Sequence, residues 1–372
     1  MRAYLDHAST SPLRPSALEV MLPFMREHHA DPSRVHTDAL VPRHAIEVAR
    51  DQVAALVGAT AREVTFTSGG TEACNAAVFS ALAARPGHVV LSAVEHSAVL
   101  DAVTRSGMEY TLVGVDRSGR VDPGEFVRHL RADTTLACLQ LANHEVGTLQ
   151  PVETVCEITR ERDILTFSDA SSAAGHVPVE FAHLGCDLLA ITAHKFGGPK
   201  GAGALITRRG LRLPPFLVGG SQERARRAGI ENVPAIVGFG AAAAELLGGG
   251  LEREAATQRA FTEELAAAAL AVPDVARYGD PTFAVPHIVC IGVGGVEAEP
   301  ILLALDQAGV SVHSGSSCSS EVLEPSPVLA AMGVDADRSV RASVGWSTTP
   351  QDVTAFADAF GPAVAQLRAL RT

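Results

Sequence analysis

Leu188-Leu189-Ala190-Ile191-Thr192-Ala193-His194-Lys195-Phe196-Gly197-Gly198-Pro199-Lys200 decides how the rest of this chain is read. Its first five residues have the apolar character of a buried strand, and a glycine-rich turn follows. The stretch also holds both lysines of a protein with thirty basic residues, so arginine supplies all the others. A chain with that bias replaces a surface lysine at little cost. It cannot do so where an amine has to lose its proton, because guanidinium stays charged and forms no imine. Lys195 is therefore expected to be a reactive amine at the carboxyl end of a strand, with chance retention of two loop lysines as the plainer alternative.

Working outward, the preceding strand (164–168) delivers Asp169 at the corresponding end. Short strands are also predicted at 64–67, 89–92, 109–113 and 135–141, with helical spacing over 47–57 and from Gly70 to about residue 83. This alternation, from about 47 to 237, predicts an open α/β sheet covered on both faces, a design that collects ligands at the carboxyl ends of its strands. Beyond Gly248-Gly249-Gly250 the rhythm changes. An alanine-rich helix over about 251–271 leads into segments 284–293, 299–308 and 310–312 and a last helix near 351–369, expected to form a separate small α+β unit.

The 372 residues are 47% hydrophobic but only 5% aromatic, so alanine and branched aliphatics must build the core. That length points to two packed domains or one large one. A net charge of −12 argues against general binding to nucleic acid or to an anionic membrane surface. No apolar run approaches the roughly 18 residues of a membrane span. Met1-Arg2-Ala3-Tyr4-Leu5-Asp6-His7 puts polar groups where a secretory signal needs its apolar stretch, so a soluble, cytoplasmic protein is expected. Six cysteines without a C-x-x-C pair are too few for a disulfide scaffold and wrongly spaced for a zinc knuckle. Cys74, Cys138, Cys156, Cys186 and Cys290 have aliphatic neighbours and read as core, whereas Cys318, in Ser314-Gly315-Ser316-Ser317-Cys318-Ser319-Ser320, has nothing around it to bury. Fourteen histidines raise the idea of metal hydrolysis, but no H-E-x-x-H motif supports it and no metal is expected.

Between a predicted strand and a predicted helix lies Ser68-Gly69-Gly70-Thr71-Glu72. Glycines there let backbone N–H groups close on an anion, which the helix N-terminus favours; an ordinary tight turn is the alternative. Pyridoxal phosphate requires a lysine for its aldehyde, an acid for its ring nitrogen and an anion site for its phosphate. Lys195, Asp169 and the Gly70-Thr71 helix start supply all three from one edge of one sheet.

Further motifs stand in order along the chain: Tyr4-Leu5-Asp6-His7-Ala8-Ser9-Thr10, Glu95-His96, Asn143-His144-Glu145-Val146-Gly147, Leu323-Glu324-Pro325-Ser326 and Val340-Arg341-Ala342-Ser343-Val344-Gly345. With the segments already quoted, they resemble the class V aminotransferase branch of the fold-type I pyridoxal-phosphate enzymes, and within it the cysteine desulfurases similar to NifS and IscS. The resemblance implies a PLP-dependent transferase (fold type I) with a large, mainly parallel seven-stranded sheet domain over 12–250. It also implies a smaller α+β domain, made of 1–11 with 251–372, that carries the cysteine loop and the substrate arginine. The implied reaction removes sulfur from L-cysteine, leaving L-alanine and a persulfide on Cys318. A homodimer would pass that sulfur to an acceptor protein, either an iron–sulfur scaffold or a thiolation protein. In the implied roles Lys195 joins the cofactor and moves the Cα proton, Asp169 pairs with the ring nitrogen, and His96 stacks on the ring and assists proton transfer. Gly70, Thr71, Thr192 and His194 hold the phosphate, and Arg341 forks onto the substrate carboxylate. The thiolate form of Cys318 is the nucleophile; His313 is its nearest cationic candidate in sequence, although an ordinary, hydrogen-bonded loop histidine is the favoured reading of that residue.

Four positions depart from the family pattern. His144 stands where a second asparagine is expected and Ser172 where a glutamine is, and in the family both contact the ring hydroxyl of the cofactor. His144 either fills that gap and hydrogen-bonds the ring oxygen or leaves it to a water molecule, and it is also expected to border the substrate. Ile230 replaces a threonine that reaches the partner subunit's phosphate, and Asp31 replaces an asparagine. Rival readings are a selenocysteine lyase, another C–S lyase or an aminotransferase of the same class, the last having no need of a cysteine in a Ser/Gly loop. A catalytically weak docking subunit for sulfur relay is the reading from outside enzymology.

Overall fold

The computed structural model describes residues 2–314 and 326–370. Seven strands form the main sheet, in the spatial order Val64–Thr67, Gly203–Thr207, Leu188–Thr192, Leu165–Asp169, Thr134–Cys138, His88–Ser92 and Tyr110–Val113. Neighbours run parallel except at Gly203–Thr207, which is antiparallel to both strands beside it. The architecture is the expected large, mostly parallel α/β sheet. Gly203–Thr207 was not predicted: it opens with small residues directly after a glycine-rich turn and offers no alternation to detect. The strand expected at 164–168 is Leu165–Asp169, so Asp169 is itself its last residue.

Successive strand residues point to opposite faces, which splits the core in two. Leu188, Ala190, Leu165, Phe167, Leu136 and Cys138 pack with Ala73, Ala77 and Val78 of the helix Gly70–Ala84 and with Val99 of the helix Ser97–Arg105. Leu189, Ile191, Ala137 and Ile206 face the other way, onto the helices Leu40–Leu56 and Val233–Leu246. Both faces of the sheet are covered, which explains why its strands read as near-continuous apolar runs. Cys74, Cys138, Cys156, Cys186 and Cys290 are all buried and unpaired.

A second, four-stranded antiparallel sheet runs in the order His313–Ser314, Ser339–Ser343, Ile288–Val293, Val275–Tyr278. It packs with the helices Gly250–Leu270, Ala298–Gln307 and Pro350–Ala369 around Leu265, Ile291, Ile301, Val340, Phe356 and Phe360. The predicted segment 284–293 is a strand only from Ile288, and 310–312 shrinks to the pair Val310–Ser311, bonded in parallel to Ala3–Tyr4. The chain start thus ties into the smaller unit, where Asp6 bridges to Ser343. It then crosses to the main sheet, where the Ser11 and Arg14 amides donate to the carbonyls of His194 and Gly197. Among the described residues no single helix is long and apolar enough to cross a membrane.

Candidate active site

Strand parity builds the site. Asp169 shares its face with Leu165 and Phe167, and Thr192 shares the same face with Leu188 and Ala190, the side covered by the helix Gly70–Ala84. The carboxyl ends of two adjacent strands therefore present Asp169 and Thr192 beside the start of that helix, where Gly70 and Thr71 lie. Gly203 completes the corner. It is paired with both Thr67 and Thr192, and a Cβ placed on it would meet the Gly69 carbonyl carbon at 2.5 Å. Only a residue without a side chain lets the Ser68–Gly70 turn sit so close to the sheet.

The cleft that results encloses about 240 Å³ and is lined by Gly70, Thr71, His96, His144, Asp169, Ser172, Thr192, His194, Lys195 and Arg341, among others. These are all the catalytic, cofactor and substrate residues named from the sequence except Cys318, which lies outside the described residues; His313 does not line the cleft. Lys195 ends the short turn Ala193–Lys195, and its Nζ donates to Ser172 Oγ at 3.1 Å. Lys200, the other lysine, is exposed. His96 caps the helix Ser97–Arg105, its Nδ1 accepting from the Ala98 amide at 3.0 Å. That bond puts the proton of the neutral ring on Nε2. The His96 and His144 rings meet edge to face, 5.0 Å between centroids.

Burial dominates the electrostatics. Desolvation lowers the pKa of His96 to about 4 and that of His144 to about 3, helped by Lys195 at both; for His96 the His144 ring contributes more than the lysine. His194 falls to about 4 through desolvation and the two lysines. These rings are neutral near pH 7. Glu145 moves the opposite way, to about 7, because burial outweighs its bond from Ser326 and the nearby Arg341. Its Oε1 lies 3.5 Å from His144 Nε2. Glu95, 5% exposed, rises to about 8, with desolvation the main cause and Asp169 a smaller one.

Several contacts that shape the cleft were invisible in the sequence. Ser11 Oγ donates to the Lys195 carbonyl at 2.9 Å, His176 Nε2 lies 3.3 Å from the same oxygen, and Arg14 Nε donates to the Phe196 carbonyl at 2.8 Å. Together they fix the backbone that carries the lysine. Asn143 Oδ1 accepts from the amides of Glu145 and Val146, which holds the His144 turn in shape. A one-dimensional pattern contains none of these contacts, because each joins segments far apart in the chain or depends on turn geometry.

Two features of the cleft suit pyridoxal phosphate. Ser171 Oγ is buried beside the helix start without a hydrogen-bond partner among the described residues, and a Cβ on Gly70 would come within 2.9 Å of it, so the turn exposes backbone next to a waiting hydroxyl. An amine and a carboxylate also face one cavity from adjacent strands. A lysine, an acid and a glycine-opened helix start at the carboxyl edge of a mainly parallel sheet define an α/β enzyme of the amine-dependent transferase kind. The chain belongs to the class-V aminotransferase family, whose model matches residues 3–356. It is 41% identical to the cysteine desulfurase IscS of Dictyoglomus turgidum over 99% of this chain and 95% of that protein. It is 39% identical to the cysteine desulfurase IscS of Methanosarcina thermophila over 98% of this chain and 92% of that protein. Among solved structures, a NifS-like protein superposes with a TM-score of 0.92 at 28% identity, covering 99% of this chain and all of that one. A structure described as SspA in complex with cysteine gives 0.81 at 28%, covering 92% and 99%.

Proposed function

We propose that this protein is a pyridoxal-phosphate-dependent cysteine desulfurase that takes sulfur from L-cysteine, releases L-alanine and holds the sulfur as a persulfide on Cys318. The observation that carries the reading is the convergence of Lys195, Asp169 and the Gly70–Thr71 helix start on one cleft, in a chain similar from end to end to cysteine desulfurases. When bound, the cofactor supplies an aldehyde that takes up amines and a ring that withdraws electrons from the carbon they carry. The remaining work falls to side chains. Lys195 provides the amine and, held by Ser172, a base for the Cα proton. Asp169 offers a carboxylate to the ring nitrogen, and Gly70, Thr71, Thr192 and His194 surround the place for the phosphate. His96 keeps a neutral ring with its proton on Nε2. His144 borders the cleft where the family pattern has asparagine and would bond the ring oxygen of the cofactor. Arg341 is the cation for the substrate carboxylate. The role of Cys318 as the nucleophile that accepts sulfur rests on its Ser/Gly surroundings and on the resemblance.

A homodimer, a cytoplasmic location and an acceptor protein for the sulfur complete the reading. Val35, Val218 and Ile230 are large apolar side chains left exposed, at 98%, 81% and 64%, which supports burial of apolar surface against a second copy. Free thiols at all five described cysteines support a reducing compartment. Purified protein loaded with pyridoxal phosphate is expected to be yellow and to form L-alanine from L-cysteine in the presence of a reductant. Cys318→Ala is expected to keep the colour and lose sulfur release, and Lys195→Arg to lose the colour. Full turnover by Cys318→Ala would move the assignment to another C–S lyase or an aminotransferase.

A further inference from the structure

Arg341 already has an anion. The residue sits in the strand Ser339–Ser343, paired on both sides, with 1% of its surface exposed. A guanidinium has five N–H donors. Both on Nη2 are engaged, one by Asp6 Oδ1 at 2.9 Å and one by Ser9 Oγ at 2.8 Å. One on Nη1 goes to the His144 carbonyl at 2.9 Å, and Nε is buried without a partner among the described residues. Ser9 Oγ in turn donates to Asp6 Oδ1 at 2.9 Å, closing a ring of three side chains. Ser9 and Arg341 line the cleft and Asp6 stands behind them. Asp6 is fixed there by its bridge to Ser343 and by the Tyr4 hydroxyl donating to its carbonyl.

A carboxylate can fork onto a guanidinium along two edges, Nε with Nη2 or Nη1 with Nη2. Both edges need an Nη2 proton. We infer that Asp6 and Ser9 form a built-in competitor for the substrate carboxylate at Arg341 and so limit how tightly the enzyme holds both substrate and product. The inference rests on the reading of Arg341 given above. An incoming amino acid displaces the Ser9 hydroxyl, which already occupies the cleft side of Nη2, and meets a cation whose charge Asp6 has compensated. Once the carboxylate departs, Ser9 returns to the vacated donor. Asp6 and Ser9 are thus affinity-setting residues that act through Arg341.

Asp6→Asn removes the charge and keeps the shape and the backbone contacts. In the holoenzyme, visible-absorbance titration with L-alanine measures binding without sulfur chemistry, and steady-state assays with L-cysteine separate KM from kcat. Asp6→Asn is expected to lower the alanine Kd and the cysteine KM together, by roughly tenfold, with kcat equal to or below that of the parent. Ser9→Ala is expected to shift both the same way by about twofold, and it serves alone if Asp6→Asn does not fold. Unchanged or raised values in either folded variant overturn the inference, a rise showing that the pair orients Arg341 instead of competing for it. A parent protein that binds alanine but makes none from cysteine refutes the desulfurase reading alone, since the titration still tests Asp6 and Ser9.

Discussion

Glu95 shows how one side chain can be legible as a letter and opaque as a group. It stands next to His96 in a quoted motif, yet only the fold shows that its Oε1 accepts from the Gln140 amide at 2.8 Å while Oε2 is buried without a partner. Desolvation raises its pKa from 4.5 to about 8, so it is a neutral acid near pH 7. The sign of the linkage follows. A carboxyl whose folded pKa is raised binds its proton more firmly in the native state, so its contribution to stability is lost as pH climbs from 4.5 towards 8. Glu95→Gln carries no such loss. Cofactor-free Glu95→Gln is expected to melt progressively higher than the parent as pH rises from 5 to 8, by roughly 1–3 kcal/mol at the upper end. A constant difference across that range would show that Glu95 does not titrate in the folded protein.

The unpredicted strand Gly203–Thr207 does more for the site than its composition indicates. As the antiparallel member of the sheet it lies between Leu188–Thr192 and Val64–Thr67 and brings Gly203 under the turn that opens the helix Gly70–Ala84. The contact is backbone on backbone, with the Gly69 Cα at 2.7 Å and its oxygen at 2.8 Å from any Cβ at 203, so no side-chain rotation can relieve it. Gly203→Ala is expected to cost about 1–3 kcal/mol of stability. It should also displace the helix start enough to weaken pyridoxal phosphate binding at least tenfold, measured as the cofactor concentration needed to restore the visible band. A variant that binds the cofactor normally would mean that the turn has room to move.

At the scale of the whole molecule, three histidines from distant segments meet where the smaller unit, the main sheet and the chain start join. The His176 and His287 rings stack 3.5 Å apart, and both His287 nitrogens lack hydrogen-bond partners. His7 bridges Ser11 and Thr348 alongside them. Desolvation lowers His7 and His176 to about 4 and pushes His287 well below its usual value. Unfolded histidines protonate near pH 6.5, and the native ones stay neutral until far lower, so stability held above about 6.5 is lost as pH falls towards 4. Each contributes roughly 1.4 kcal/mol per pH unit in that window, or about 4 for the three. Melting temperatures between pH 7 and 5 are expected to fall steeply in the parent, and His287→Asn should flatten that fall by about one proton's worth. An unchanged slope would show that His287 takes no part in acid unfolding.

The sequence by itself determined the chemistry on offer and the sheet that presents it. Short apolar runs between helical segments marked six of the seven main strands, and an arginine-rich chain that keeps lysine only at 195 and 200 singled out a reactive amine. Those signals are local, carried by spacing and residue type, and survive without any knowledge of what lies nearby. Tertiary structure bears out the choice of Lys195, which lines the cleft while Lys200 is exposed a few residues away. It alone placed Asp6 on Arg341, 335 residues away, and Ser11 on the Lys195 carbonyl, 184 away. Desolvation and counter-ion pairing depend on what the whole chain packs around a group. Protonation states and the competition at the carboxylate site therefore emerge only once the fold has closed.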